Sequence, residues 1–119
     1  MNAEEIIKLN KTALYSSIES TDIFSKFFNK SILHNAVVME IFSNNIVNGI
    51  SYERLCLNIP KTLGSRSSIQ NLLNEGLDQK ILIKVENEKD KRIKNYYLSE
   101  KCSKLVIDWI KNQKTIFNS

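Results

Sequence analysis

Hydrogen-bonding side chains cluster between residues 66 and 74, interleaved with apolar residues at helical spacing. The apolar positions follow the 3.6-residue period of an α-helix and predict a buried face; they are Ile69, Leu72, Leu73 and Leu77. The opposite face carries Arg66, Ser67, Gln70, Asn71 and Asn74. An arginine can form paired hydrogen bonds with a guanine edge, and a glutamine or asparagine can do so with an adenine edge. This pattern favours recognition of base edges in the major groove of DNA, with Arg66, Gln70 and Asn71 as the base-reading residues.

Small polar and basic residues surround the start of this predicted helix. Ser65 is a good N-cap, and the N-terminus of a helix attracts anions through its unpaired N–H groups and its dipole. Contacts with phosphate fix the position of a protein on a duplex without reading its sequence. We expect such contacts from Lys61, Thr62, Ser65, Ser67 and Ser68.

A second group of charged residues follows in a predicted β-hairpin. Residues 81–85 and 94–98 are rich in β-branched or aromatic side chains and predict two strands, with a charged tip at residues 87–91. The tip brings four cations towards the flanking DNA backbone: Lys89, Lys91, Arg92 and Lys94. Arg92 can enter the minor groove, which is narrow in A-tracts and attracts arginine. The neighbouring Asp90 and Arg92 are also compatible with a plain surface ion pair, worth about 0–1 kcal/mol.

The elements that position these residues are predicted to be mainly helical. Helices are expected at residues 3–20, 31–47, 52–58, 66–80 and 100–117, with an apolar cluster of helical spacing at residues 23–28. Ser51 and Ser99 are further candidate N-caps, and Gly49 suits a left-handed helix end. Gly76 inside a helix costs about 1 kcal/mol relative to alanine. Close packing against another helix is one possible reason for it.

The composition excludes several classes of protein. The chain has 119 residues, which fits a single domain, and no apolar run approaches the roughly 20 residues of a membrane span. Its acidic beginning argues against a signal peptide, so a cytoplasmic, nucleoid-associated location is expected. Cys56 and Cys102 are expected to be buried thiols, with redox sensing as the alternative. The single histidine, His34, has no ligand cluster around it in the sequence, so neither a metal nor another cofactor is expected. The sequence contains no phosphate loop, no nucleophile elbow and no paired carboxylates, which are the motifs that would indicate an enzyme.

The positive charge is concentrated near the predicted DNA-binding elements. The net charge is +4, and it arises unevenly: residues 1–60 hold five basic and six acidic side chains, whereas residues 61–104 hold ten basic and six acidic ones. Two of the three arginines, Arg66 and Arg92, also fall in this second part. An anionic partner would require this distribution.

The same stretch resembles the MarR-like transcriptional regulators. Their wing pattern, D-x-R followed by five residues and L-T, is matched by DKRIKNYYLS at residues 90–99, with Ser99 in place of threonine. Their S-T-V-x-x-L-I-x-x-L helix is similar to SSIQNLL at residues 67–73 together with Leu77. The resemblance covers roughly residues 33–104. It implies that Asp90 orients Arg92 and that Arg92 contacts the minor groove. It also implies a dimer joined by terminal helices.

The predicted fold is therefore an α+β winged helix-turn-helix in one domain, residues 1–119. Residues 31–99 form the winged-helix core, and residues 1–30 and 100–119 form dimerisation helices. The expected dimer contacts are Ile6, Leu9, Ala13, Leu105, Trp109, Ile110, Ile116 and Phe117. The expected function is sequence-specific binding of double-stranded DNA, at an inverted repeat, by a dimeric transcriptional regulator; the sequence identifies no small-molecule effector. The alternative is a winged helix that binds proteins and not DNA.

Overall fold

The computed structural model describes residues 2–19, 22–44 and 49–117 of the chain. Helices dominate these ranges, and three short strands complete the fold, so the predicted α+β class is confirmed. The elements in chain order are α1 (Ala3–Glu19), α2 (Ile23–Phe28), α3 (Ile32–Asn44), β1 (Ile50–Ser51), α4 (Tyr52–Asn58), α5 (Arg66–Asp78), β2 (Leu82–Glu86), β3 (Lys94–Leu98) and α6 (Glu100–Phe117).

The three strands form one antiparallel sheet in the order β1-β3-β2. In β2, Leu82 pairs with Leu98 and Glu86 with Lys94, which makes β2 and β3 the predicted hairpin. Strand β1 was not predicted, because two residues carry no strand period and become a strand only by pairing with β3. The chain enters β1 through Gly49, whose φ of +71° is left-handed. A Cβ there would lie 2.6 Å from the Tyr97 ring, so both conformation and space require glycine.

Helix α3 lies at the centre of the core, as its nearly uniform apolarity predicts. Val37, Val38 and Ile41 are buried, and they belong to a core built from every helix except α1 among the described parts of the chain and from all three strands. Helix α2 adds Phe24 and Phe27, and α5 adds Ile69, Leu72 and Leu73 of its predicted inner face, while Leu77, the fourth, is half-buried against the core. Helix α3 was predicted to begin at Ser31 and reach Val47. It begins at Ile32 and is described to Asn44, and residues 45–48 lie outside the described part.

Helix α5 ends two residues earlier than predicted, at Asp78 and not at Lys80. The Ile81 amide donates to the Gly76 carbonyl (2.9 Å), the Lys80 amide donates to the Leu77 carbonyl (3.1 Å), and Lys80 has φ +60°. These two bonds and the left-handed residue form a Schellman cap. The cap takes Ile81 out of the predicted strand, so β2 runs from Leu82 to Glu86. Ile81 is instead a buried anchor beneath the cap.

Gly76 lets strand β2 approach helix α5 closely. A Cβ on Gly76 would lie 2.6 Å from Leu82 Cδ1 and 3.3 Å from Phe27 Cζ. The contact that needs glycine is therefore mainly with a strand, and only secondarily with helix α2. Because Leu82 is itself buried, it has little room to move away.

The helices at the two ends of the chain contact each other and leave apolar surface exposed. Helix α1, predicted to end at Ser20, is described to Glu19, and it packs on α2 and α6. Of the predicted dimer contacts, Leu9, Ala13, Trp109 and Ile110 are exposed, whereas Ile6 and Leu105 are half-buried. The side chains of Ile116 and Phe117 lie outside the described residues. In the described residues, no helix is long and apolar enough to span a membrane.

Candidate nucleic-acid interface

Helix α5 presents the predicted polar residues on its outer face because its inner face fills the core. Ile69, Leu72, Leu73 and Gly76 are buried. Four of the predicted polar positions are exposed: Arg66, Ser67, Asn71 and Asn74. Gln70 is half-buried, donates to Asn74 Oδ1 (3.2 Å), and also hydrogen-bonds Tyr96. That bond opposes the effect of burial, which raises the pKa of Tyr96. Among the predicted base-reading residues, Gln70 is thus the least exposed.

The N-terminus of α5 is capped by hydroxyl groups. Ser65 Oγ accepts from the Ser68 amide (3.1 Å), and it lies 3.1 Å from Ser67 Oγ and 3.0 Å from Ser68 Oγ. The cap leaves the first turn exposed at residues 65–68. A cavity of about 510 Å³ reaches this end of the helix, and Lys61, Ser65 and Arg66 all line it. The fold therefore brings the turn before α5 and the first turn of α5 to one surface, with Thr62 exposed beside Lys61.

The wing is a hairpin whose tip is held by its own side chains. Asn87 Oδ1 accepts from the amides of Lys89 (2.8 Å) and Asp90 (3.2 Å). The Asn87 amide donates to the Ile93 carbonyl (2.9 Å), and the Ile93 amide donates to the Asp90 carbonyl (3.0 Å). The tip therefore has a defined shape, and it exposes Lys89, Lys91 and Arg92.

Asp90 and Arg92 make a bidentate ion pair within this tip. Arg92 Nε donates to Asp90 Oδ1 and Arg92 Nη2 to Asp90 Oδ2, each at 3.1 Å, while the Arg92 amide also donates to Oδ1 (3.1 Å). These bonds hold the pKa of Asp90 below its usual value, against a small opposing effect of burial. The Arg92 side chain is 91% exposed. Asp90 therefore contacts both the backbone and the guanidinium of Arg92, and the orienting role that the resemblance implies for it stays a prediction.

Two predicted contacts are engaged in ion pairs that the sequence did not reveal. Arg66 Nη2 donates to Glu53 Oε1 on helix α4 at 2.5 Å, and Lys94 Nζ donates to Glu86 Oε1 on the neighbouring strand at 2.6 Å. The second pair follows from the β2–β3 register, which sets Glu86 opposite Lys94. The Arg66–Glu53 pair joins residues 13 positions apart along the chain. Apart from the place of Glu53 in the first turn of α4, nothing in the sequence indicated this pair.

The two candidate DNA-contacting units lie next to each other. A cavity of about 310 Å³ is lined by Tyr52 and Glu53 from α4 and by Arg92, Ile93 and Lys94 from the wing. Glu53 in turn holds Arg66 of helix α5. Glu53 therefore connects the start of α5 with residues 92–94 of the wing, a proximity that suits contact with a major groove and an adjoining minor groove.

The two thiols and the single histidine are buried residues. Cys56 and Cys102 are both buried, and burial raises the pKa of Cys102, which disfavours the reactive thiolate. His34 is buried on α3. In the described ranges no group of three or more histidine, cysteine, aspartate or glutamate side chains could hold a metal ion.

Sequence comparison and structure comparison give different results. No family model and no curated protein matches the chain. Solved structures do match: MepR of S. aureus bound to ethidium bromide, at 16% identity and a TM-score of 0.60, is aligned over 99% of this chain and 76% of its own. The transcriptional regulator SlyA aligns at 16% identity and TM-score 0.53, over 97% of this chain and 74% of its own.

A third neighbour is a mutant of ZitR from Lactococcus lactis, at 11% identity and TM-score 0.54, aligned over 99% of this chain and 80% of its own. All three alignments include the terminal helices as well as the winged-helix core, because they cover nearly the whole chain. At these identities the likeness concerns the fold. The chain has the winged helix-turn-helix fold of the MarR-family transcriptional regulators.

Proposed function

We propose that this protein is a transcriptional regulator that binds a specific double-stranded DNA sequence as a homodimer. Helix α5 enters the major groove, and the wing contacts the adjoining minor groove and backbone. The observation that carries the proposal is the outer face of α5: Arg66 and Asn71 are exposed, the inner face of the same helix is buried, and an exposed basic wing completes the surface. The neighbouring solved structures include transcriptional regulators, which supports this function and not an enzyme.

Each predicted contact has a distinct role in this proposal. Arg66, Gln70 and Asn71 read bases, and Arg92, oriented by Asp90, enters the minor groove. The remaining residues hold phosphates: Lys61, Thr62, Ser65, Ser67, Ser68, Lys89, Lys91 and Lys94. In a two-fold dimer, two α5 helices would lie about 34 Å apart and would read an inverted repeat.

The test is selection of bound sequences from a random DNA pool, followed by affinity measurements at several salt concentrations. We expect an inverted repeat and an affinity that falls as salt rises. Asn71→Ala should relax the sequence preference by about 1–3 kcal/mol at one position of each half-site. Arg92→Ala should weaken binding to sites with A/T flanks.

An equal, sequence-independent loss in both variants would remove these two assignments while leaving DNA binding in place. The protein-binding alternative predicts that no duplex binds even at low salt, and that substitutions in the wing abolish a protein complex. The exposed apolar residues of β2, Ile83 and Val85, give that alternative a surface to use.

A further inference from the structure

Tyr52 and Glu53 of α4 and Arg66 at the start of α5 form a cluster that base reading alone does not require. The Arg66 guanidinium donates to Glu53 Oε1 at 2.5 Å and lies over the Tyr52 ring, 5.3 Å from its centroid. The Tyr52 hydroxyl donates to the Arg66 carbonyl at 3.0 Å. Helix α4 thus holds both the backbone and the side chain of Arg66. The Arg66 and Glu53 side chains nevertheless remain 57% and 69% exposed.

This cluster restricts the orientation of the Arg66 guanidinium but leaves several of its N–H donors available to bind DNA. Arginine has five N–H donors in a rigid plane. The ring of Tyr52 covers one face of that plane, and Glu53 accepts from Nη2, so the other donors remain available at a fixed orientation. A planar group held in this way loses less freedom when it forms paired hydrogen bonds with a flat base edge.

The negative charge of Glu53 changes how favourably Arg66 binds a DNA phosphate compared with a base edge. A phosphate attracts arginine mainly by its charge, and Glu53 already neutralises that charge, as the raised pKa of Arg66 beside Glu53 reflects. An exchange of Glu53 for a phosphate therefore replaces one ion pair with another. A guanine edge offers uncharged acceptors that the remaining donors can reach while the ion pair is kept.

We propose that Glu53 is a specificity-determining residue that acts through Arg66: it withholds the arginine from phosphates and presents it to a base edge. The inference rests on the proposed function and deepens it, because it assigns discrimination between specific and non-specific DNA to a residue of α4. Tyr52 is a positioning residue in the same arrangement, since its ring and hydroxyl hold Arg66 in place.

The test is Glu53→Gln, compared with the wild type on the selected DNA sequence and on an unrelated duplex. Release of Arg66 adds one phosphate contact, so the slope of log affinity against log salt for the unrelated duplex should steepen by about 0.9 per bound chain. Non-specific affinity should rise at low salt, and the gain should shrink about 3.5-fold per chain when salt is raised fourfold. The ratio of specific to non-specific affinity should fall.

Two controls separate this mechanism from a general change in surface charge. Glu5→Gln removes the same charge from an exposed position of α1, outside the proposed DNA-contacting surface and without releasing an arginine, and it should leave the salt slope and the specificity ratio as in the wild type. In an Arg66→Ala background, Glu53→Gln should have no further effect on either quantity. Thermal unfolding of each variant checks that the fold is retained, which the exposure of Glu53 favours.

The outcomes distinguish the inference from the function on which it rests. A wild-type protein that binds no duplex removes the proposed function. A wild-type protein that selects a sequence, with a Glu53→Gln variant of unchanged slope and ratio, overturns the inference alone. The inference is also overturned if Glu5→Gln reproduces the changes, or if Glu53→Gln still acts when Arg66 is absent.

Discussion

Most of the charged residues that are proposed to contact DNA form ion pairs with other residues of the same chain. Arg66 pairs with Glu53, Arg92 with Asp90, and Lys94 with Glu86, all at exposed sites. An exposed pair of this kind contributes only about 0–1 kcal/mol to stability. The Asp90–Arg92 pair was predictable, because two residues of one hairpin tip are always neighbours. The Arg66–Glu53 pair was not, because it depends on how α4 and α5 pack.

The single histidine is a second residue whose state depends on packing. His34 Nδ1 lies 2.7 Å from Ser31 Oγ, and its ring packs edge-on against Phe27. Its Nε2 lies 3.6 Å from Glu75 Oε1, an atom that also pairs with Lys30. Burial lowers the pKa of His34 below 6.5, Glu75 partly opposes this effect, and Lys30 adds to it. The folded protein therefore holds this imidazole neutral at neutral pH.

The lowered pKa of His34 predicts how stability changes with pH. Below pH 6.5 the unfolded chain binds a proton that the folded chain resists, so the free energy of unfolding should fall as pH falls from about 7 to about 5. His34→Gln should show a smaller fall over the same range. Urea unfolding of the wild type and of His34→Gln, each at about pH 7 and about pH 5, measures the change in the free energy of unfolding for both proteins. The same pH dependence in the two proteins would contradict a buried neutral His34.

Helix α5 shows how one element can meet several requirements at once. Its first turn is capped by Ser65, its middle exposes polar residues on one face, and its end is closed by the Schellman cap at Lys80. The start and the two faces were predictable because capping residues and helical period are local signals. The end was not, because Lys80 adopts a left-handed conformation that is normally taken by glycine. Ile81, the residue that follows the left-handed Lys80, is buried in the core.

Gly76 offers a test of the contact between α5 and β2. Alanine would favour the helix by about 1 kcal/mol, but its Cβ would meet Leu82 at 2.6 Å, and overpacking of this kind costs about 1–3 kcal/mol. We expect Gly76→Ala to lower the free energy of unfolding by about 1 kcal/mol, measured by denaturant unfolding. Asn74→Ala is the matched control at an exposed position of the same helix, and it should not destabilise the protein. A stabilised Gly76→Ala protein would show that Leu82 can move aside.

The whole molecule is more extended than a compact domain of its length. Its radius of gyration is 15.6 Å, whereas about 13.5 Å is typical of a compact chain of this size. Its extents are 50 × 26 × 26 Å. The exposed apolar residues of the terminal helices include Leu9, Leu14, Ile107 and Trp109. A second copy of the chain that covers this surface would explain both the shape and the exposure.

The proposed dimer can be tested by sedimentation. We expect the wild type to sediment at twice its chain mass of 13.7 kDa, and Ile110→Lys to sediment at the mass of one chain, because a buried charge at the interface is costly. Ile83→Lys makes the same change at an exposed isoleucine of β2 and should leave the dimer intact. A monomeric wild type, or equal effects of the two substitutions, would contradict an interface formed by the terminal helices.

The sequence by itself determined the order of helices and hairpin, the two faces of α5, the caps at Ser51, Ser65 and Ser99, and the Asp90–Arg92 wing. Each of these depends on residues a few positions apart, and helical period, capping and hairpin chemistry act over that range. Tertiary structure alone decided strand β1, the tight contact at Gly76 and the hold of Glu53 and Tyr52 on Arg66. These features join residues that are distant along the chain, and only the packing of complete elements against a shared core brings them together.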